Sequence, residues 1–176
     1  MSFEATRYRL SSPQCPDFVL RLIDERDQEK LRTWKNENRQ YFFHQDLIAP
    51  TQQAAWFSGY LERAHDYMFM VVWEGRDIGC MGIRLLSEGW DVYNVIAGNR
   101  GARGRGIMGQ AFKLLLKFAY AQKGEVIGLN VMRTNPAVEW YVKNGFSIVG
   151  EGDDYFAMRH DSSTLEDAIL SVEQET

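Results

Sequence analysis

A short run of glycine and basic residues in the middle of the chain could bind phosphate groups. The run is Arg103-Gly104-Arg105-Gly106-Ile107-Met108-Gly109, and a helix-like apolar repeat begins within it. The first backbone N–H groups of a helix have no partners inside the helix, and the helix dipole adds positive potential there. Glycine lets a backbone approach a phosphate closely. Charge is added by Arg100, Arg103 and Arg105. The run therefore predicts an anion site at the start of a helix.

The glycines of this run also allow two other interpretations. Their spacing, Gly104-x-Gly106-x-x-Gly109, matches the dinucleotide fingerprint, which would predict NAD or FAD. That fingerprint needs a parallel β-α-β unit and an acidic residue at the end of the next strand. Here the next strand ends Leu129-Asn130-Val131 without an acid, and the preceding strands are predicted to be antiparallel. The run could also be a plain turn that opens an amphipathic helix, although its arginines favour phosphate.

Before the run, the chain is expected to form two helices and a meander of strands. Apolar stretches predict strands over 18–23, 67–74, 78–86 and 90–97. Glycine-containing turns join the last three and favour antiparallel pairing. The helices are expected over about 24–36 and 51–63, with Asp24 and Thr51 as their caps.

After the run, helices and strands alternate. The predicted elements are a helix from Ile107 to about Gly124, a strand over 125–131, a helix from Asn135-Pro136 to about Gly145, strands over 146–149 and 155–159, and a short helix over 165–172. This order predicts an α/β (α+β) fold with a single mixed, mostly antiparallel central sheet flanked by helices.

Composition narrows the class of protein. The 176 residues fit one domain, 1–176, and are 45% hydrophobic and 25% charged, as in globular proteins of the soluble class. A net charge of −4 disfavours nucleic acid and anionic membranes as partners. Cys15 and Cys80 provide neither a disulfide framework nor a metal-binding spacing. Because the N-terminal residues lack the apolar core of a secretion signal and no apolar run could span a bilayer, a cytoplasmic protein is expected.

The glycine and arginine run resembles a motif of the GNAT superfamily of N-acetyltransferases. The family pattern is (Gln/Arg)-x-x-Gly-x-(Gly/Ala). Arg103 and Gly106 match it, with Gly104 and Ile107 as frequent companions. Met108 stands where the family usually has Gly or Ala, but a helical Met still offers its backbone N–H.

A second segment, over 135–146, resembles the family's Asn-x-x-Ala-x-x-x-Tyr-x-x-x-Gly-Phe stretch. The aligned residues are Ala137, Tyr141, Gly145 and Phe146. The Asn position of the pattern falls on Thr134, and Asn135 stands one residue late. One helix and one strand separate the two segments, as in the family, and the resemblance extends over about 78–159.

The resemblance implies an acetyl-CoA-dependent N-acetyltransferase that needs no metal and releases CoA. A primary amine would attack the thioester directly in a ternary complex. The acceptor could be a protein N-terminus, an amino sugar, an aminoglycoside or a polyamine. The resemblance also implies splayed central strands, with the pantetheine arm between the 90–97 and 125–131 strands. A non-catalytic module that senses acyl-CoA is the alternative, and an oligomer is possible.

The resemblance further implies roles for individual residues. Tyr141 would act as the general acid that protonates the departing thiolate, although packing alone could also explain it. Asn135 could hydrogen-bond the cofactor or simply cap its helix. The implied cofactor-binding residues are Ile96, Ala97, Gly98, Arg103, Gly104, Arg105, Gly106, Ile107, Met108, Gly109 and Asn135.

The sequence leaves the general base open. A base is needed because an alkylammonium has a pKa of about 10. Asp91 and Tyr93 share one face of their strand by its two-residue period, and either could act through water. His44, Asp46 and Glu88 are further candidates, and for each a solvated surface role is an alternative.

Overall fold

Strands and helices combine into one mixed sheet with helices on both faces. The computed structural model describes residues 7–102 and 104–175. The strands of this part are β1 Arg7–Ser11, β2 Phe18–Leu22, β3 Asp66–Trp73, β4 Arg76–Leu86, β5 Gly89–Ala97, β6 Ile127–Met132, β7 Phe146–Glu151, β8 Tyr155–His160 and β9 Ser171–Glu175. The helices are α1 Gln28–Glu37, α2 Pro50–Glu62, α3 Ile107–Gln122 and α4 Ala137–Lys143.

The sheet has the order β7-β8-β6-β5-β4-β3-β2-β1-β9. Among the described strands, β5 and β6 form the one parallel pair, and all other neighbours are antiparallel. This topology confirms the prediction of a single mixed, mostly antiparallel sheet flanked by helices. β5 and β6 are parallel because the crossover through α3 joins them, and the pair lies inside the sheet.

Two hydrophobic cores form because alternate residues of the central strands point to opposite faces. On one face Phe69 and Val71 pack in the core that holds α3 and α4. On the other face Met68 and Met70 pack in the core that holds α1 and α2. The apolar stripe of α3 is fully buried at Phe112, Leu115 and Phe118, so this long helix fixes the sheet from one side.

The C-terminal helix predicted over 165–172 is wrong. Residues Ser162–Leu165 form a short 3-10 turn, and β9 pairs along its whole length with β1. All five residues of β9 are exposed. This strand is held by backbone hydrogen bonds to β1 at the sheet edge. Because such bonds do not depend on the side chains, its sequence shows no apolar pattern that would predict a strand.

The prediction that Thr51 caps the second helix is wrong. α2 begins at Pro50, and Ala49 is its N-cap. The Gln52 side chain accepts a hydrogen bond from the Ala49 N–H at 2.7 Å. Proline suits the first position of a helix because it lacks an N–H and its φ is already helical.

No helix of the described residues is long and apolar enough to cross a membrane.

Candidate active site

The candidate site opens where the two parallel strands separate. β5 and β6 pair only through Trp90 with Ile127 and Asp91 with Gly128. Beyond these pairs β5 continues beside β4, and β6 continues beside β8. The strands therefore diverge and leave a gap in the middle of the sheet.

A β-bulge bends β5 at this gap. Tyr93 lies opposite Gly82 and Ile96 lies opposite Cys80, so β5 has one residue more than β4 over this stretch. Asn94 has a φ of 50°, a left-handed conformation that asparagine tolerates better than most residues. A bulge increases local twist and shifts the alternation of side chains. It therefore turns β5 away from β6 and changes which residues face the gap.

Three adjoining cavities follow the gap. The splay cleft, about 350 Å³, lies between the diverging strands. The glycine-loop cleft, about 670 Å³, lies between the end of β5 and the starts of α3 and α4. The apolar pocket, about 260 Å³, lies between α1, α2 and the sheet. The first two share Tyr41, Phe42, Val95 and Asn135. The splay cleft and the apolar pocket share Lys35, His44, Trp56 and Asn94. The three cavities therefore adjoin one another in a row, and this row is called the channel below.

The glycine loop presents open backbone to this channel. Gly104 and Gly106 have φ values of 79° and 73°, and a Cβ at either position would meet nothing within 4 Å. Gly106 is the N-cap of α3, and no side chain of the described residues caps the helix. The free N–H groups of its first turn are therefore available to an anion.

Most of the residues predicted to bind the cofactor line the glycine-loop cleft. They are Ile96, Ala97, Gly104, Gly106, Ile107, Met108, Gly109 and Asn135. Arg103 lies outside the described residues. Arg105 does not line the cleft: its side chain is exposed, and its guanidinium carbon lies 5.2 Å from the centre of the Trp73 ring. The Met108 side chain packs over Gly79, where a Cβ would come within 2.8 Å of its sulfur.

Gly98 is held away from the cleft by packing and hydrogen bonding. Its N–H donates to the Ile78 carbonyl at 2.9 Å. A Cβ at this position would lie 2.0 Å from the Trp34 ring. The need for glycine at this position is therefore explained by the contact between α1 and the end of β5.

Tyr141 reaches the splay cleft from α4. Its ring packs with Phe112, Trp140 and Phe146, and no hydrogen bond to its hydroxyl occurs within the described part of the chain. Burial raises the pKa of Tyr141 above its ordinary value. The phenol is therefore protonated at neutral pH and able to donate a hydrogen bond into the cleft. Packing and a chemical role are compatible at this position.

Asn135 joins the two larger clefts. Its side-chain oxygen accepts a hydrogen bond from the Ala137 N–H at 2.9 Å, which caps the first turn of α4. Its amide group donates to the Tyr41 carbonyl at 3.5 Å. Both contacts are internal, so Asn135 connects α4 to the segment after α1 while it lines the channel.

Three of the candidate bases lie in the splay cleft, and two of them are already hydrogen-bonded. Asp91 accepts from Arg84 Nε at 2.9 Å, and burial raises its pKa. The Tyr93 hydroxyl donates to the Asp66 carboxylate, and burial raises the pKa of Tyr93 as well. His44 lines the same cleft. By contrast, Asp46 and Glu88 are exposed and line none of the three cavities.

Lys35 is a member of this site that the sequence analysis missed. It extends from α1 into the splay cleft, where Nζ donates to the Asn94 side-chain oxygen and lies 3.4 Å from the centre of the Phe42 ring. Burial lowers its pKa to about 8. Its spacing from buried Leu31 and Trp34 places it at the edge of the apolar face of α1. That pattern is equally typical of a solvated lysine, so only the fold reveals the position.

Among the described residues, no group of three or more His, Cys, Asp or Glu side chains could hold a metal ion.

The sequence over residues 28–146 matches the family model described as "Acetyltransferase (GNAT) family". No curated protein matches the sequence significantly. The matched residues run from α1 to the start of β7 and so include the glycine loop and all of α4.

Solved structures share this fold at low sequence identity. A spermidine N-acetyltransferase from Vibrio cholerae, in complex with CoA and spermine, has a TM-score of 0.71 and 18% identity over 85% of this chain and 98% of its own. Apo FdhC, a nucleotide-linked sugar GNAT, has a TM-score of 0.72 and 18% identity over 86% and 90%. A domain from Methanocaldococcus jannaschii DSM 2661 has a TM-score of 0.72 and 15% identity over 81% and 96%.

Proposed function

The chain belongs to the GNAT family of acetyltransferases, and from that premise we propose that it transfers the acetyl group of acetyl-CoA to a primary amine. The amine attacks the thioester carbonyl directly, and the CoA thiolate leaves. The observation that carries the proposal is the pair of adjoining cavities that lie between the open N-terminus of α3 and Tyr141.

The glycine-loop cleft is suited to the phosphate end of the cofactor. The space over Gly104 and Gly106 would be filled by a Cβ, and the unpaired N–H groups of the first turn of α3 are matched to an anion. The pantetheine arm would follow Ile96 and Ala97 along the diverging end of β5. Because β5 has no β6 partner at this point, this edge of the strand is available for hydrogen bonds to a chain-like ligand.

Two side chains of the splay cleft are suited to the proton transfers. Tyr141 is neutral and unpaired among the described residues, so its hydroxyl can donate a hydrogen bond to the departing thiolate. Asp91 is the one carboxylate among the described residues that line this cleft. Because burial raises its pKa, it accepts a proton more readily than an ordinary aspartate. We therefore propose that Asp91 is the general base that accepts the proton of the acceptor amine, directly or through a water molecule.

The Tyr141→Phe variant tests the proposal. We expect kcat to fall by about 10²- to 10⁴-fold, the range of a general acid, while the Kd for CoA stays within about twofold. Thiol release measures the first quantity and calorimetric titration the second. Tyr67→Phe is the matched control, because it removes a phenol outside all three cavities.

The same two assays, applied to the wild type as well, separate an enzyme from a module that only senses acyl-CoA. Unchanged turnover in Tyr141→Phe would contradict the role given to Tyr141. CoA binding without acetylation of any amine by the wild type would favour the sensing module.

A further inference from the structure

In the splay cleft and the apolar pocket, positively charged side chains outnumber negatively charged ones. Lys35, Arg84 and Asp91 line the splay cleft, and Lys35 also lines the apolar pocket, whose described residues include no carboxylate. Arg84 is paired with Asp91 at 2.9 Å. One positive charge, that of Lys35, is therefore left over in these two cavities. His44 is the other titratable side chain that lines both cavities.

Lys35 has no counter-ion among the described residues. Its contacts are the neutral Asn94 side chain and the face of the Phe42 ring. Two neighbours act on its pKa: Cys80 raises it and the charge of Arg84 lowers it. Burial raises the pKa of Cys80 to about 12, so this thiol is uncharged at neutral pH and is not a counter-ion. An amide and an aromatic face stabilise a partly buried ammonium less than a carboxylate does. An anion that enters the cleft would provide the counter-ion that Lys35 lacks among the described residues.

The cofactor's phosphates are not the expected counter-ion. Lys35 does not line the glycine-loop cleft, where the N-terminus of α3 provides the anion site. It lines both the splay cleft and the apolar pocket, on the side of α1 and α2. Because the glycine-loop cleft is assigned to the cofactor's phosphates, the acceptor is the ligand that remains for the space next to Lys35.

We propose that the acceptor amine belongs to a molecule that also carries a negatively charged group, a carboxylate or a phosphate, and that this group pairs with Lys35. The inference rests on the proposed function and narrows its substrate class. A polyamine would place a second positive charge beside Lys35, so acceptors of that class are disfavoured in this chain.

A direct binding experiment tests the anion site without knowledge of the acceptor. The protein is saturated with CoA, and thermal unfolding is compared in sodium phosphate and in sodium chloride of equal ionic strength. We expect phosphate to stabilise the wild type more than Lys35→Met. Lys30→Met is the matched control, because Lys30 lies on the same helix, is paired with Asp77 at 2.8 Å and lines none of the three cavities. It should behave as the wild type does. An equal effect of phosphate on all three proteins would overturn the inference.

A set of acceptors then separates carboxylate from phosphate. The arms are an amino acid against its carboxamide, an amino sugar against its phosphate ester, and spermidine. We expect kcat/KM for one anionic member to exceed that for its neutral partner by roughly 10- to 100-fold, the value of a hydrogen bond to a charged group, and the ratio to collapse in Lys35→Met. Equal rates for neutral and anionic members, or preference for spermidine, would refute the inference and leave the proposed function intact. An absence of stabilisation by CoA would instead count against the proposed function.

Discussion

Burial changes two side chains of the splay cleft in opposite directions. It raises the pKa of Tyr141, which keeps the phenol protonated, and lowers the pKa of Lys35 to about 8, which brings the ammonium close to deprotonation at neutral pH. In both cases desolvation disfavours the charged form. The cleft therefore combines a neutral hydrogen-bond donor with a cation that lacks a carboxylate partner among the described residues.

The pKa of Lys35 predicts how stability depends on pH. The unfolded value is about 10.4, so below about pH 8 both states hold the proton and the cost of burying the charge is fully present. Between about pH 8 and 10.4 the unfolded state binds more protons, so the free energy of unfolding rises with pH. Urea unfolding of the wild type and Lys35→Met should diverge over this range, in favour of the wild type, by on the order of 1–3 kcal/mol. Parallel curves for the two proteins would contradict the lowered pKa.

Residue types alone could not have identified this lysine. Tyr141 was identified by its place in a motif, and the fold puts it in the splay cleft. Lys35 belongs to no motif, and it meets Asn94 only because α1 packs against the bulge of β5. Contacts between residues far apart in sequence leave no local pattern.

At the scale of elements, the glycine loop depends on two backbone conformations. Gly104 and Gly106 are both left-handed, which lets the chain turn into α3 without a side-chain cap. The start of α3 was predictable because glycine and an apolar helical repeat coincide there. β9 was not, since its exposed residues carry no alternation and its stability comes from pairing with β1.

The Gly106→Ala variant separates backbone strain from ligand contact. The cost of a left-handed alanine is about 1–2 kcal/mol. Gly75→Ala is the matched control, because Gly75 has a φ of 76°, also faces open space and lies in the turn between β3 and β4. Urea unfolding should give similar losses for both variants. Calorimetric titration should show CoA affinity reduced at least about tenfold in Gly106→Ala alone, since the added methyl group would occupy the space that we propose for the phosphates. Equal CoA affinity in the two variants would contradict the proposal that the phosphates bind next to Gly106.

At the scale of the whole molecule, the proposed function depends on the gap between the two parallel strands of the sheet. The antiparallel halves on either side of β5 and β6 are continuous, and two helices on each face hold them together. The divergence of the parallel pair leaves room for the adjoining cavities between the glycine loop and Tyr141. The sequence predicted this architecture because its hairpin turns, its helix signals and its two motifs all agree. It did not predict which end of the channel carries charge, since that depends on how α1 lies against β5.

The most direct test of the central claim is thermal unfolding with acetyl-CoA, CoA and NAD in parallel. A ligand at about a hundred times its Kd stabilises the folded state by roughly 2.7 kcal/mol, which for this size of protein is a shift on the order of 5–10 °C. Acetyl-CoA and CoA should produce that shift and NAD should not. A shift with NAD and none with acetyl-CoA would contradict the account and make the glycine loop a dinucleotide site.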